Sequence, residues 1–269
     1  IFSAARGCAD REDAMDYAQS VAVVSGGASG LGEAFVRMLV KAGGRAAILD
    51  FDQDKGEQLA SELGQGVIFC KTDVTREQDV QAAVHAAMEA FGAIHTAVNC
   101  AGVVTPAKVL GKNGPIGLDV FNQVIQINLV GTMNVLRLAA EKMMINTPNE
   151  DGEKGVIINT ASIAAFEGQI GQAAYASSKA GVVGLTLPVA REFAAYGIRV
   201  VAVAPGLFET PMIAGLPEKA RASLVNMVNF PKRLGKPFEF ALLARQIIEN
   251  PYLNGVTIRL DSGMTMAAR

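Results

Sequence analysis

Residues 20–32 read SVAVVSGGASGLG, an apolar run followed at once by a loop that contains four glycines. The apolar run lacks polar alternation, which is typical of a strand buried on both faces. A helical pattern begins at residue 31, so the glycines lie between a strand and a helix. Dinucleotide pyrophosphates bind at such a helix N-terminus, where glycine lets the backbone come close to the phosphates. The spacing Gly26-x3-Gly30-x-Gly32 differs from the common G-x-G-x-x-G, and a tight loop without a ligand is the alternative interpretation.

The same alternation continues along the chain. Further apolar runs predict strands at 45–50, 66–70, 94–99, 155–160, 198–204 and 255–260. Segments with a period of 3.6 residues predict helices at 31–43, 54–63, 76–91, 118–145, 172–196 and 238–249. The predicted fold class is α/β: a single-domain, Rossmann-type, doubly wound seven-stranded parallel sheet with helices on both faces. Loops 103–117 and 146–154 are unusually long, and the proline-rich stretch 206–237 is predicted to be irregular and to cover the ligand edge as a lid.

Composition narrows the class of protein. The chain has 269 residues, of which 50% are hydrophobic, and a net charge of -2, so nucleic acid is not expected as a partner. No apolar run approaches the roughly 20 residues that span a bilayer, and no membrane partner is expected. The three cysteines (Cys8, Cys70, Cys100) have neither metal nor disulfide spacing, which favours reduced thiols in the cytoplasm, or in the mitochondrial matrix of a eukaryote. Residues 1–14 are expected to be an extension outside a domain that spans 15–269.

Asp50 ends the second predicted strand, about 20 residues beyond the glycine loop. A carboxylate at this place accepts hydrogen bonds from the ribose hydroxyls of NAD and repels the additional phosphate of NADP. The alternative is an acid that only terminates a strand. The absence of Arg or Lys in the glycine loop supports NAD as the cofactor.

Two shorter stretches follow the third and fourth predicted strands. Asp73 and Val74 are placed to contact the adenine, and the residues NCAG at 99–102 are small enough to lie beside the cofactor. Each is weak evidence alone, because Asp and Asn commonly end strands.

Proton transfer needs a titratable group, and the two histidines are not suited to it. His85 lies in a helical pattern and His95 at the start of a strand, far from the ligand edge. In YASSK, Tyr175 and Lys179 are four residues apart and share one helix face, where an ammonium would lower the pKa of the phenol. Ser162 follows the fifth predicted strand and can donate a hydrogen bond to a substrate oxygen. Periodicity alone does not decide whether Asn128 is structural or functional.

Taken together, the glycine loop, NCAG, Asn128, Ser162, YASSK and the PG at 205–206 resemble the short-chain dehydrogenase/reductase family in residue type and order, over residues 20–261. The resemblance implies that Tyr175 is the catalytic acid/base and that Lys179 lowers its pKa and binds the nicotinamide ribose. It also implies that Ser162 holds the reacting oxygen and that Asn128 anchors a water path to Lys179. Ser25 replaces the threonine usual in the family.

A closer similarity, which includes GVIINTASIAAFEGQIGQAAYASSKAG and both long loops, is to the 3-hydroxyacyl-CoA dehydrogenases of that family. It implies reversible NAD-dependent oxidation of a 3-hydroxyacyl-CoA and a homotetramer. It implies substrate contacts from Ser162, Gln169, Tyr175 and Leu207. The cofactor contacts expected from the loop pattern and from this similarity are Gly26, Ser29, Gly30, Leu31, Gly32, Asp50, Asp73, Val74, Asn99, Cys100, Ala101, Gly102, Tyr175, Lys179, Pro205, Gly206, Phe208 and Thr210. A broader secondary-alcohol or hydroxysteroid dehydrogenase and a non-catalytic NAD-binding scaffold remain alternatives.

Overall fold

The structure, a computed structural model, describes residues 15–112, 114–215 and 218–268. The expectation about residues 1–14, and with it Cys8, lies outside the described residues. Within them, no helix combines the length and the apolar character needed to cross a lipid bilayer.

The predicted parallel sheet is confirmed, and all seven predicted strands belong to it. Within the described residues the strand order is β3-β2-β1-β4-β7-β8-β9, and every neighbouring pair is parallel. A two-stranded antiparallel pair, β5 with β6, lies in the long loop before the fourth helix. The strands are β1 (Val21–Ser25), β2 (Arg45–Asp50), β3 (Val67–Lys71), β4 (Thr96–Asn99), β5 (Leu110–Gly111), β6 (Gly114–Pro115), β7 (Gly155–Thr160), β8 (Ile198–Pro205) and β9 (Thr257–Leu260).

Two hydrophobic cores, one on each face, explain why the central strands are apolar without alternation. Every residue of β1, β4, β7 and β8 is buried. Phe35 of α1 and Phe240 of α9 pack on one face of the sheet, and Val84 of α3 and Leu136 of α5 pack on the other. The helices are α1 (Gly30–Lys41), α2 (Gln53–Leu63), α3 (Glu77–Phe91), α4 (Leu118–Ile125), α5 (Gly131–Met143), α6 (Ala173–Phe193), α7 (Pro211–Ala214), α8 (Glu218–Met227) and α9 (Pro237–Glu249).

The structure corrects two of the sequence predictions. The helix predicted for 118–145 is interrupted by a π-helical segment, Gln126–Val130, between α4 and α5. The stretch 206–237, predicted to be irregular, contains α7 and α8. The prolines of this stretch predict irregular structure. Pro211 and Pro237 instead each begin a helix, at a position where the backbone N–H that proline lacks has no helical partner.

The strand order reverses between β1 and β4: from β1 the chain continues towards β2 and β3 on one side, and from β4 it continues towards β7, β8 and β9 on the other. In open α/β sheets, ligands bind at this switch point, outside the carboxyl ends of the strands. The glycine loop after β1 and the NCAG segment after β4 both lie there. We therefore expect the functional site at this edge of the sheet.

Candidate active site

The glycine loop packs closely against other backbone segments. A Cβ on Gly26 would lie 2.6 Å from the backbone nitrogen of Ala101, and one on Gly32 would lie 2.3 Å from the carbonyl oxygen of Gly26. Gly26 and Gly30 also have positive φ angles of 66° and 57°, which favour glycine. Two of the three motif glycines thus let neighbouring backbone approach, which brings the start of α1 to the end of β4.

Asp50 is held at the end of β2 by the loop beside it. Its Oδ2 accepts a hydrogen bond from the backbone N–H of Ala28 at 3.0 Å, and its Oδ1 accepts one from that of Asp52 at 3.0 Å. The carboxylate is only partly buried, so it keeps acceptor capacity beside the glycine loop. A carboxylate so fixed can accept hydrogen bonds from ribose hydroxyls and repels a phosphate.

The segment after β3 is fixed by residues that the sequence analysis did not identify. Asp73 Oδ1 accepts hydrogen bonds from the N–H and the hydroxyl of Thr75, at 2.9 and 2.7 Å. The side-chain amide of Asn134 on α5 donates to the carbonyl oxygen of Val74 at 2.9 Å. The Val74 side chain is buried against Gly131, where a Cβ would lie 2.6 Å away. Both predicted adenine residues are therefore held in place by the protein itself.

A buried row of polar side chains crosses the carboxyl ends of three neighbouring strands. Ser25 donates to Asn99 Oδ1 at 3.1 Å, and Asn99 Nδ2 donates to Asn159 Oδ1 at 2.9 Å. Asn99 is 2% exposed, so its side chain ties β1, β4 and β7 together below the crevice. Cys100 turns its sulfur to the Thr160 hydroxyl at 3.4 Å, and burial raises the pKa of its thiol to about 11.

Tyr175 and Lys179 lie one turn apart on α6, as predicted, and both point to the same edge of the sheet. The Lys179 Nζ lies 5.9 Å from the centre of the Tyr175 ring and donates to the carbonyl oxygen of Thr160 at 2.6 Å. A Cβ on Gly102 would lie 3.6 Å from this Nζ. Glycine at 102 therefore lets the end of β4 lie close to the lysine without a side chain between them.

The pKa values differ from the sequence expectation. Burial raises the pKa of Tyr175, and a hydrogen bond with the Ser162 side chain lowers it by a smaller amount. Burial also lowers the pKa of Lys179 to about 8. The spacing of the two residues predicts that the ammonium lowers the pKa of the phenol, but desolvation acts against both charged forms and opposes this effect.

Asn128 is the centre of a buried network inside the π-helical segment. Its amide Nδ2 donates to the Val103 carbonyl and to the Ser178 hydroxyl, both at 3.0 Å, and its Oδ1 accepts from the Val103 N–H at 2.8 Å. Ser178 in turn donates to the carbonyl oxygen of Tyr175 at 2.7 Å. Ser178 was missed by the sequence analysis, although it lies three residues after Tyr175 on the same helix face. π-helical turns recur at functional sites because they displace the backbone locally.

Ser162 follows β7 and caps a short 3-10 turn, with its Oγ accepting from the Ala164 N–H at 3.1 Å. The side-chain amide of Gln169 donates through Nε2 to the Ala267 carbonyl at 2.9 Å. Gln169 also lines a surface cavity of about 430 Å³ together with Lys108, between the long loop and the start of α6.

The PG pair ends β8 and begins the stretch that covers the sheet edge. Pro205 is the last residue of β8, and the Gly206 N–H donates to the Leu260 carbonyl at 3.0 Å. Phe208 is buried, and its ring would lie 2.8 Å from a Cβ on Gly235. Thr210 packs against Gly30, 3.5 Å from the position of a Cβ there. The start of this stretch thus touches the glycine loop directly.

The histidines are structural, as predicted. His95 accepts a hydrogen bond from the backbone N–H of Val21 at 3.1 Å, and burial lowers its pKa. His85 is exposed and lies 3.3 Å from Glu89. Neither reaches the edge at which Tyr175 lies.

Residues 20–221 match the family described as short chain dehydrogenase. The 3-hydroxyacyl-CoA dehydrogenase type-2 of Drosophila melanogaster is 51% identical over 249 residues, which cover 92% of this chain and 98% of the relative. The human protein of the same name is 52% identical over 248 residues, covering 91% and 95%. The crystal structure of 3-hydroxyacyl-CoA dehydrogenase type-2 from Mycobacterium avium has a TM-score of 0.90 and 42% identity, covering 94% and 98%. These proteins are similar to the present chain over nearly its whole length.

Proposed function

The chain belongs to the short-chain dehydrogenase family, and on this premise we propose that it oxidises the 3-hydroxyl group of an acyl-CoA thioester to the 3-oxo group, reversibly, with NAD as the hydride acceptor. It is an oxidoreductase acting on CH–OH. One observation carries the proposal: Tyr175, Lys179 and Ser162 meet at the sheet edge that the glycine loop and Asp50 border. The names of relatives that share half of its residues support the acyl-CoA substrate.

NAD is the proposed cofactor, and the residues present fit it. The partly exposed Asp50 carboxylate would accept hydrogen bonds from ribose hydroxyls, Gly102 puts no side chain next to Lys179, and the N-terminus of α1 would face the pyrophosphate. We propose that the glycine loop, Asp50, Asp73–Val74, residues 99–102 and the 205–210 segment hold the cofactor. Asn99 also joins β1, β4 and β7 below this site through its side-chain hydrogen bonds.

The proposed oxidation breaks two bonds of the substrate, the C–H bond at the 3-carbon and the O–H bond of its hydroxyl. NAD, when bound, would supply the acceptor for the hydride from the 3-carbon. Ser162 holds the reacting oxygen by a hydrogen bond and keeps it beside the Tyr175 hydroxyl, with which it already interacts. Tyr175, as phenolate, takes the proton of the substrate hydroxyl, so that the oxygen lone pair forms the new C=O bond.

Lys179 and the Asn128 network support this step from behind Tyr175. A protonated Lys179, with its Nζ oriented by the Thr160 carbonyl, would offset part of the desolvation that raises the pKa of Tyr175. Asn128 holds Ser178, and Ser178 holds the backbone of Tyr175, so the phenol is fixed relative to the loop after β4. We assign Asn128 and Ser178 to positioning, with Asn128 as the anchor of a proton path towards Lys179.

The acyl-CoA is proposed to enter between the long loop and α6. The cavity of about 430 Å³ lies there, and Gln169 lines it. Leu207 packs onto the cluster that contains Ile163, the residue after Ser162. The 206–237 stretch, through Leu207 and Phe208, acts as the lid over cofactor and acyl chain. Lys108, exposed at the cavity rim, is placed to meet the phosphates of CoA.

A substrate panel tests the proposed function. NADH formation is measured with 3-hydroxybutyryl-CoA, its longer and branched homologues, simple secondary alcohols and hydroxysteroids. We expect the highest kcat/KM for a 3-hydroxyacyl-CoA, because remote binding energy from CoA helps to orient the reacting carbon. An equal kcat/KM for an alcohol or a steroid would assign the enzyme to the broader dehydrogenases instead, and no turnover with any of them would favour the scaffold.

Replacing Lys108 with Glu should raise KM for the acyl-CoA by about 3- to 10-fold, the size of exposed charge interactions, and the effect should shrink at high salt. A truncated thioester that lacks the CoA phosphates should be unaffected. Lys41→Glu, at the opposite edge of the sheet on α1, is the matched control. An equal rise in KM for both thioesters would exclude a phosphate contact at Lys108.

A homotetramer in the cytoplasm, or in the mitochondrial matrix of a eukaryote, is the proposed state of the protein. The strand β9 lies at an edge of the sheet, and Tyr252 and Val256 beside it are exposed, as expected of a face that another subunit covers. Cys70 and Cys100 are free thiols, which suits a reducing compartment. Light scattering of the purified protein tests the tetramer.

A further inference from the structure

The C-terminal residues 263–268, here called the strap, run between two walls of the proposed active site. After β9 the backbone turns at Ser262 and Gly263, which have positive φ angles of 56° and 64°. The turn is closed by Asp261, whose Oδ1 accepts from the Gly263 N–H at 3.0 Å and whose carbonyl accepts from the Met264 N–H at 3.1 Å. The strap is therefore directed away from the sheet edge and towards the site.

On one side the strap is hydrogen-bonded to the segment that follows Ser162. The Met266 N–H donates to Glu167 Oε2 at 2.9 Å, the Gln169 amide donates to the Ala267 carbonyl at 2.9 Å, and the Ile170 N–H donates to the Ala268 carbonyl at 3.1 Å. Three successive strap residues are thus paired with Glu167, Gln169 and Ile170, and the last two of these line the proposed acyl-CoA cavity.

Arg259 joins the base of the strap to the same wall. Its guanidinium donates to Glu167 Oε1 at 2.8 Å, to Asp261 Oδ2 at 2.6 Å and to the Met264 carbonyl at 3.0 Å. It also lies over the Phe166 ring, 5.8 Å from its centre. The Glu167 carboxylate is therefore shared between Arg259 and the strap backbone, and these contacts hold its pKa below the usual range.

On the other side the strap packs against the lid. Met264 is wholly buried in a cluster with Ile163 and Val228, onto which Leu207, Met227 and Met266 also pack. The Asn229 amide donates to the Gly263 carbonyl. Ile163 directly follows Ser162, whereas Leu207 and Val228 both belong to the lid, and this cluster is separate from those that pack on the faces of the sheet.

We propose that the strap sets the distance between the lid and the wall after Ser162, and so determines which acyl chains the site accepts. Met264 fills the space between the two walls, and Glu167 fixes the strap in register. This inference rests on the proposed function for the identity of the substrate. Glu167 and Met264 are positioning residues, because their contacts join protein segments to each other.

The test compares Glu167→Ala, Glu167→Gln and Met264→Ala with Glu62→Ala. Glu62 is the matched control, because its carboxylate also pairs with an arginine, Arg37, but on the far helices α1 and α2. KM and kcat are measured over a series of 3-hydroxyacyl-CoA chain lengths, together with the Kd for NADH. Hydrogen exchange of residues 163–170 and 224–230 is measured without substrate.

With Glu167→Ala and Met264→Ala, we expect KM to change 3- to 10-fold more for one end of the chain-length series than for the other. We expect the Kd for NADH to change less than 2-fold and exchange of both segments to be faster. Glu167→Gln, which still accepts the Met266 N–H, should recover part of the wild-type profile. Either unchanged exchange or an unchanged chain-length profile in both alanine variants would overturn the proposal.

The hydrogen exchange separates this inference from the proposed function. If the wild-type enzyme did not oxidise any acyl-CoA, the function would fail, while faster exchange in the Glu167 and Met264 variants would still support a strap that holds the lid. If the wild type oxidised acyl-CoA and exchange in these variants matched the wild type, the strap would fail and the function would stand.

Discussion

Tyr175→Phe should lower kcat for alcohol oxidation by about 10²- to 10⁴-fold, the range typical of a lost general acid–base group. The change removes one hydroxyl and keeps the ring, which is partly buried at the sheet edge beside Ser162 and Lys179. The Kd for NADH, measured by fluorescence, should stay within a few-fold of the wild-type value, because the lysine and the glycine loop are untouched. A large loss of kcat with retained NADH binding assigns the hydroxyl to the chemical step.

Tyr196→Phe is the matched control. Tyr196 lies just after α6, packs edge-on against Phe193 at 6.5 Å between ring centres, and is partly exposed. It should leave kcat unchanged. If Tyr175→Phe kept near-normal turnover, the proposed mechanism would be wrong whatever the cofactor.

The pH dependence follows from the same hydroxyl. Because burial raises the pKa of Tyr175, the phenolate fraction of the unliganded enzyme increases with pH well above neutrality. Oxidation uses the phenolate, so its kcat/KM should rise with pH, whereas ketone reduction uses the protonated phenol and should fall. Parallel pH profiles in the two directions would argue against a single titrating acid/base.

The second large effect concerns Asp50. Its carboxylate should exclude NADP, because two like charges about 4 Å apart at an effective dielectric near 20 cost about 4 kcal/mol, nearly a thousandfold in affinity. Asp50→Asn should remove most of this discrimination and also weaken NAD, because bonds from ribose hydroxyls to a charged acceptor are stronger than to a neutral one. The ratio of kcat/KM for NAD to that for NADP measures the discrimination, and kcat/KM for NAD itself measures the weakening.

The comparison of Asn with Ala at position 50 controls for a structural effect. Asp50 also accepts the N–H groups of Ala28 and Asp52, so alanine would disturb the loop as well as the charge. Asparagine keeps one acceptor oxygen. The melting temperature of the Asp50→Asn variant should therefore stay closer to that of the wild type than the melting temperature of Asp50→Ala does. Faster wild-type turnover with NADP at matched concentration would refute the NAD assignment.

Much of the fold could be predicted, because it depends on patterns local in sequence. Seven apolar runs became the seven strands of the sheet, and the glycine loop after the first of them lies at the switch point. Tyr175 and Lys179 could be paired because four residues on a helix fix their relative position. Period and spacing are local properties, and the sequence carries them directly.

The tertiary structure decided what depends on residues far apart in sequence. The partners of Asn128 at Val103 and Ser178 are 25 and 50 residues away, and no local pattern indicates them. The direction of the pKa shifts at Tyr175 and Lys179 followed from burial, which is produced by elements from the whole chain. In the same way, the contacts of Glu167 with Arg259 and Met266 join segments 92 and 99 residues apart. Packing alone brings such groups together, because hydrogen bonding and desolvation depend on distance in space rather than along the chain.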